Sequence, residues 1–188
     1  MRFDPEPVYT WGPMATSVQV PVQEYLDGSL EFEPDAEYVD GKIEERPMGE
    51  YDHSTWQQAI ERWFLQHLGE WDIRVRCELR VQVSPTRFRV PDVVVFRRSQ
   101  PVEQTLTVAP IAVFEILSPE DRMSRMLVKL HDYEKMGIRS IRVVDPRAQT
   151  IYRYTSGALE PLVAEAENLS EEPNCSIDWH EVKRLLDS

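Results

Sequence analysis

Two apolar runs of strand length, each broken by one carboxylate, constrain this chain more than any other feature. They are Val90-Pro91-Asp92-Val93-Val94-Val95-Phe96 and Ile111-Ala112-Val113-Phe114-Glu115-Ile116-Leu117. Runs this rich in β-branched residues, bounded by turn formers, read as buried strands. A carboxylate inside such a strand is costly unless a cation or hydrogen-bond donors meet it. A hard divalent cation can neutralise both Asp92 and Glu115 at once, or each can pair with a nearby arginine.

The segment after the second run is expected to form a helix opened by Pro119-Glu120-Asp121, with Met123, Met126, Leu127, Leu130 and Tyr133 on its apolar side. Arg122, Arg125, Lys129 and Asp132 fall on a neighbouring stripe, because steps of three, four and three keep them together. From that stripe Lys129 can point back across the sheet toward Glu115; a solvated helix charge is the plain alternative.

Pro91-Asp92, followed by Glu115 in the next apolar strand, resembles the PD-(D/E)XK nuclease superfamily. Glu115-Ile116-Leu117-Ser118-Pro119, a helix bearing Lys129 and Tyr133, Gly137-Ile138, a strand and Val144-Asp145-Pro146 are similar to the Uma-type family of restriction-endonuclease-like proteins. Glu37-Tyr38-Val39-Asp40-Gly41, with Asp52-His53-Ser54 ahead of a helix, extends the likeness over residues 20–155. The resemblance implies an α/β restriction-endonuclease-like fold, a mixed β-sheet flanked by helices in a single domain. It further implies Mg²⁺, or Mn²⁺, held by Asp92, Glu115 and the carbonyl of Ile116. Glu37 and His53 are then expected near the metal, Lys129 as the active-site lysine moved onto the helix, DNA as substrate, and a homodimer. One position departs from the superfamily pattern: two residues after the glutamate, where its lysine belongs, stands Leu117.

Around this centre, residues 1–19 read as an extended N-terminal segment, 20–155 as the nuclease-like domain, and 156–188 as an acidic C-terminal extension. The only firm element expected in that extension is a short helix from Asp178. Earlier in the chain a short helix fits within 17–26, and a hairpin turning at Asp40-Gly41 fits 37–46. A helix over 54–68 is expected to start at Ser54, with Gln57 completing a capping box, and to stop at Gly69. Its face of Trp56, Ile60, Trp63, Phe64 and His67 reads as core. From Trp71 to Val83 apolar and polar residues alternate almost without a break, which predicts one strand with arginines along one face. Arg74, Arg76, Arg80, Arg87 and Arg89, with Arg122 and Arg125 on the later helix, are candidates for nucleic-acid phosphates, a solvated charged face being the alternative.

Duplex binding draws most of its affinity from neutralised phosphates, so the net charge of -12 opposes it. The acid, however, lies in the flanks. Residues 1–52 hold 13 acidic and 3 basic side chains, residues 53–155 hold 12 and 16, and residues 156–188 hold 8 and 2. The two cysteines, Cys77 and Cys175, suggest neither a disulfide framework nor a zinc site. No apolar run is long enough to span a bilayer, and the chain reads as cytoplasmic without membrane contact. The expected function is a Mg²⁺-dependent endonuclease acting on DNA. A non-catalytic binding module on a decayed nuclease core, or a phosphodiesterase on small substrates, are the alternatives.

Overall fold

The computed structural model describes residues 19–28, 36–46, 49–101, 103–119 and 122–187. The expectations for 1–19, for a helix start at Ser17 and for a helix opening at Pro119-Glu120-Asp121 fall wholly or partly outside these residues. In chain order the elements are α1 (Val22–Leu26), β1 (Glu37–Val39), β2 (Lys42–Glu44), α2 (Tyr51–Gln66), α3 (Leu68–Trp71), β3 (Ile73–Cys77), β4 (Val81–Ser84), β5 (Arg87–Arg89) and β6 (Val93–Arg97). There follow β7 (Ala112–Ile116), α4 (Met123–Met136), β8 (Ser140–Asp145), β9 (Thr150–Thr155), β10 (Ala158–Pro161), β11 (Ala166–Glu171), β12 (Asn174–Asp178) and α5 (Trp179–Arg184).

The two carboxylate-bearing runs form β6 and β7, neighbours inside a six-stranded sheet of order β10-β9-β8-β7-β6-β3. Only β7 and β8 run parallel; the other pairs are antiparallel. A parallel pair cannot be joined by a tight turn, and α4 provides the crossover. Both faces of β6 and β7 are covered, which is why these strands are apolar throughout. Val93, Val95, Phe114 and Ile116 pack with Ile60 and Phe64 of α2 and Trp179 and Val182 of α5. Val94, Phe96 and Val113 pack with Met126, Leu130 and Tyr133 of α4. Side chains alternate along a strand, so Asp92 and Glu115 share the parity of this second set and lie on the α4 side. The register pairs Val93 with Phe114, which brings Asp92 opposite Glu115 one step further on.

A four-stranded sheet of order β2-β1-β5-β4 carries the expected hairpin. Its turn uses Asp40 and Gly41 at φ 47 and 90, backbone that a glycine adopts without cost.

Three local expectations are corrected. Helix α2 begins at Tyr51, so Ser54 lies inside it and its amide bonds the Glu50 carbonyl at 3.0 Å. There is no capping box, and Gln57 instead donates to the backbone carbonyl of Asp92 at 3.0 Å. Gly69 does not end the helix either, since it lies within α3. The single strand over 71–83 is broken: Glu78 takes φ 54, and the chain leaves the large sheet after Cys77 to enter the small one at Val81. Finally, the helix from Asp178 is present and capped by that side chain, but it is not the only firm element past 156. Strand β10 extends the large sheet, β11 and β12 form a hairpin, and Leu169, Cys175 and Ile177 join the core under α2.

Candidate active site

The carboxylates of Asp92 and Glu115 meet at the C-terminal end of β7 and are each 2% exposed. Glu115 Oε2 accepts from Lys129 Nζ at 2.7 Å, and Glu115 Oε1 accepts from the Tyr133 hydroxyl at 2.7 Å. Lys129 also donates to the Val90 carbonyl at 2.9 Å and lies 2.9 Å from Glu37 Oε1. Lys129 and Tyr133 stand one helical turn apart, so one face of α4 can hold both oxygens of one carboxylate.

Asp92 is met from the other side. Its Oδ2 accepts from the Ile116 amide at 2.6 Å and lies 3.3 Å from His53 Nε2, while its Oδ1 accepts from the Arg46 guanidinium. Behind the lysine runs a second line of charge. Arg89 of β5, 1% exposed, donates to Asp132 Oδ2 through Nε and Nη2 at 2.9 and 2.8 Å, and to Glu37 Oε2 through Nη1 at 2.8 Å. Glu37 Oε1 also accepts the Val90 amide at 2.9 Å, and Arg87 donates to Asp132 Oδ1 at 2.7 Å. A cavity of about 50 Å³ opens among Glu37, Arg46, His53, Asp92, Glu115 and Lys129, with Arg125 and Ser118 also on its wall.

These environments push the acids apart. Burial raises Glu115, the Lys129 charge only partly offsets this, and the carboxylates of Asp92 and Glu37 raise it further, to about 7. Burial also opposes ionisation of Asp92, but the hydrogen bond from His53 and the charge of Arg46 outweigh it and hold Asp92 below the usual carboxylate range. At Glu37 burial is likewise outweighed, by Lys129 and Arg89. Burial would lower Lys129 and His53, yet the carboxylates of Glu115 and Glu37 raise the first and Asp92 raises the second.

A carboxyl whose pKa is about 7 when folded and ordinarily 4.5 contributes stability below the lower value and loses it as pH rises through the upper one. The metal-free protein is therefore expected to lose stability relative to Glu115→Gln between pH 5 and pH 8, by about 3 kcal/mol at most. Urea unfolding of both proteins in chelator across that range measures it. A flat difference would show that Glu115 ionises normally.

The structure thus brings together Asp92, Glu115, Ile116, Lys129, Glu37 and His53, the residues singled out in the sequence. It treats the arginines differently. Arg89 is corrected from a phosphate candidate to a buried structural cation, engaged by Glu37 and Asp132 and closed to solvent. Arg87 pairs with Asp40 and Asp132, and Arg80 lies over the Tyr25 ring at 4.3 Å. Arg74 donates to the Gln100 carbonyl at 3.1 Å from edge strand β3, where Arg76 is exposed. Arg122 and Arg125 are exposed, and Arg125 lies on the cleft wall, donating to the Glu45 carbonyl at 2.8 Å. The break at Glu78 ends the expected continuous arginine face.

Sequence reasoning missed Arg46, which follows the hairpin with no periodic pattern to mark it, and the polar role of Tyr133, whose spacing reads as core. Leu117, at the superfamily's usual lysine position, packs against the apolar cluster under α4. Among the described residues no group of three or more His, Cys, Asp or Glu side chains is arranged to hold a metal ion, and both cysteines are free. Nor is any described helix long and apolar enough to cross a membrane.

The sequence profile of the Uma2 family, described as "Putative restriction endonuclease", matches residues 22–180. Among solved structures, a protein described as a "putative nuclease belonging to DUF820" from Anabaena variabilis is similar with a TM-score of 0.72 and 22% identity, covering 89% of this chain and 99% of that one. No curated protein matches at a significant level. At that identity the structural likeness speaks for the fold, while the profile match spans most of the chain and joins it to a nuclease-type group of hydrolases. The chain belongs to the Uma2 family of restriction-endonuclease-like proteins, within the PD-(D/E)XK superfamily.

Proposed function

We propose that this protein is a Mg²⁺-dependent endonuclease that hydrolyses phosphodiester bonds in DNA, its chemistry carried by Asp92, Glu115, Lys129, Glu37 and His53. The observation that carries the reading is the convergence of two buried carboxylates and one buried lysine on a single small cleft. Asp92, Glu115 and the carbonyl of Ile116 offer hard oxygen donors only, the preference of Mg²⁺ and also of Mn²⁺. The chemistry of these donors suits such an ion; beyond the effect of burial, the charges of Asp92 and Glu37 help to raise Glu115, and a divalent cation would offset them. When bound, such an ion lowers the pKa of a water and offsets charge on the phosphoryl group.

The remaining work falls to the chain. Lys129, kept charged by Glu115 and Glu37, opposes the negative charge that grows on the phosphate, and turning one of its three N–H groups from its present acceptors lets it orient the attacking water. Glu37 fixes the lysine's position and lies near enough to the cleft to reach the ion through a water. His53, whose pKa Asp92 raises against the effect of burial, can offer a ring N–H to a phosphate oxygen. Arg125, on the cleft wall, suits a neighbouring phosphate, and exposed Arg122 and Arg76 are further candidates for phosphate contacts. The reading keeps the chemistry within residues 20–155, with 156–188 as support, a homodimer to address two strands, and a reducing cytoplasmic setting for two free thiols.

One observation favours the decayed-core alternative: both carboxylates are already matched by cations of the chain itself. Incubation of plasmid DNA, single-stranded DNA, RNA and a chromogenic phosphodiester with Mg²⁺ or with chelator separates the readings. We expect DNA cleavage in Mg²⁺ and none in chelator. Cleavage of the small ester alone would move the assignment to a phosphodiesterase, and no cleavage of any substrate would favour a binding module.

A further inference from the structure

We propose that Arg46 is a resident counter-ion, holding the Asp92 oxygen that the metal would take until a nucleic-acid phosphate draws the guanidinium away. This rests on Asp92 and Glu115 being the metal ligands. Each oxygen of both carboxylates already accepts from a group of the chain, so an incoming ion must displace or crowd a partner. The partners differ in how firmly they are held. The Ile116 amide belongs to β7, Lys129 and Tyr133 to α4, and His53 to α2, all regular elements packed in the core. Arg46 alone comes from irregular backbone, two residues past the end of β2. Its side chain is 10% exposed on the cleft wall, and of its acidic neighbours Glu78, at 3.8 Å, is itself half exposed.

Charge and shape favour the exchange. A guanidinium brings one positive charge to a cluster of three buried carboxylates, where a divalent ion brings two. Its planar fork suits phosphate oxygens as well as it suits Asp92. A phosphate entering the cleft can therefore take over Arg46 and leave Asp92 Oδ1 to the metal. Metal and nucleic acid then help each other bind, because coupling between two ligands is reciprocal. Such a device keeps the carboxylates compensated without substrate, and loads the metal where there is a bond to cut.

The test is calorimetric titration of Mn²⁺ into the full-length protein, Arg46→Gln and Asp92→Asn, each alone and with a DNA duplex carrying an uncleavable linkage. Without DNA, Arg46→Gln is expected to bind Mn²⁺ about tenfold more tightly than wild type, and its affinity to depend less on DNA than that of the wild type. A residue needed only for folding would give the opposite sign. Equal or weaker binding by Arg46→Gln, with binding abolished in Asp92→Asn, would overturn the counter-ion role and leave the metal site standing. No binding by any protein, with or without DNA, would overturn the metal site and this proposal together. Should Arg46→Gln lose its circular-dichroism spectrum, Arg46→Met, which keeps the long stem, takes the same place with the same expected gain.

Discussion

Arg89→Ala is expected to destabilise the protein by about 3 to 5 kcal/mol, a large part of the 5 to 15 kcal/mol that holds a typical domain together. The guanidinium is 1% exposed and serves two buried acids, Asp132 by two hydrogen bonds and Glu37 by one. Removing it does not simply subtract those bonds. It leaves Glu37 dependent on Lys129 and the Val90 amide, and Asp132 dependent on Arg87. Two carboxylates then stay desolvated with one buried cation fewer between them, which is the expensive outcome for a buried network. Arg89→Lys keeps the charge but cannot reach both acids with one ammonium, so it should fall between alanine and wild type. Urea unfolding followed by tryptophan fluorescence gives the comparison; a loss below about 1 kcal/mol in Arg89→Ala would contradict the buried network, since only exposed pairs cost so little.

The second large effect is on cleavage. In the proposed reaction, Lys129→Gln should slow DNA hydrolysis about 10²- to 10³-fold, the usual cost of removing one well-placed donor to developing charge. Asp92→Asn should cost at least as much, because it removes a proposed metal ligand while its remaining oxygen can still accept the Ile116 amide. The two differ in stability. Lys129 lies between Glu115 and Glu37, 8% exposed, so its loss also leaves two carboxylates facing each other. Single-turnover rates in saturating Mg²⁺, taken beside urea unfolding of the same preparations, separate the effects. A folded Lys129→Gln protein that cleaves at the wild-type rate would remove the lysine from the mechanism.

The centre of the site was legible in the sequence because Asp92 and Glu115 violate the apolar pattern of their strands, and such violations demand compensation. Lys129 was legible as a stripe position on a helix, with the family resemblance supplying its target. Arg89 was misread because alternation along a charged segment says nothing about which sheet the segment joins. The same limit hid the break at Glu78, since Val81 and Val83 continue the alternation of Val75 and Cys77 after the chain has changed sheets. Past residue 156, acidic composition masked β11 and β12, whose inward positions are few but include Leu169, Cys175 and Ile177. At Ser54 a plausible cap was outcompeted by one more turn of helix, which freed Gln57 to hold the Asp92 backbone.

Lys129 and Tyr133 grip the two oxygens of one strand carboxylate from a single face of α4. Helix and strand are thereby riveted as one mechanical body, and sliding between those two layers would tear a buried charge from its partners. A cavity of about 50 Å³ is far smaller than a polynucleotide. Glu37, bound to Lys129, Arg89 and the Val90 amide, ties β1 into the same body, so the reacting groups keep their spacing as a set.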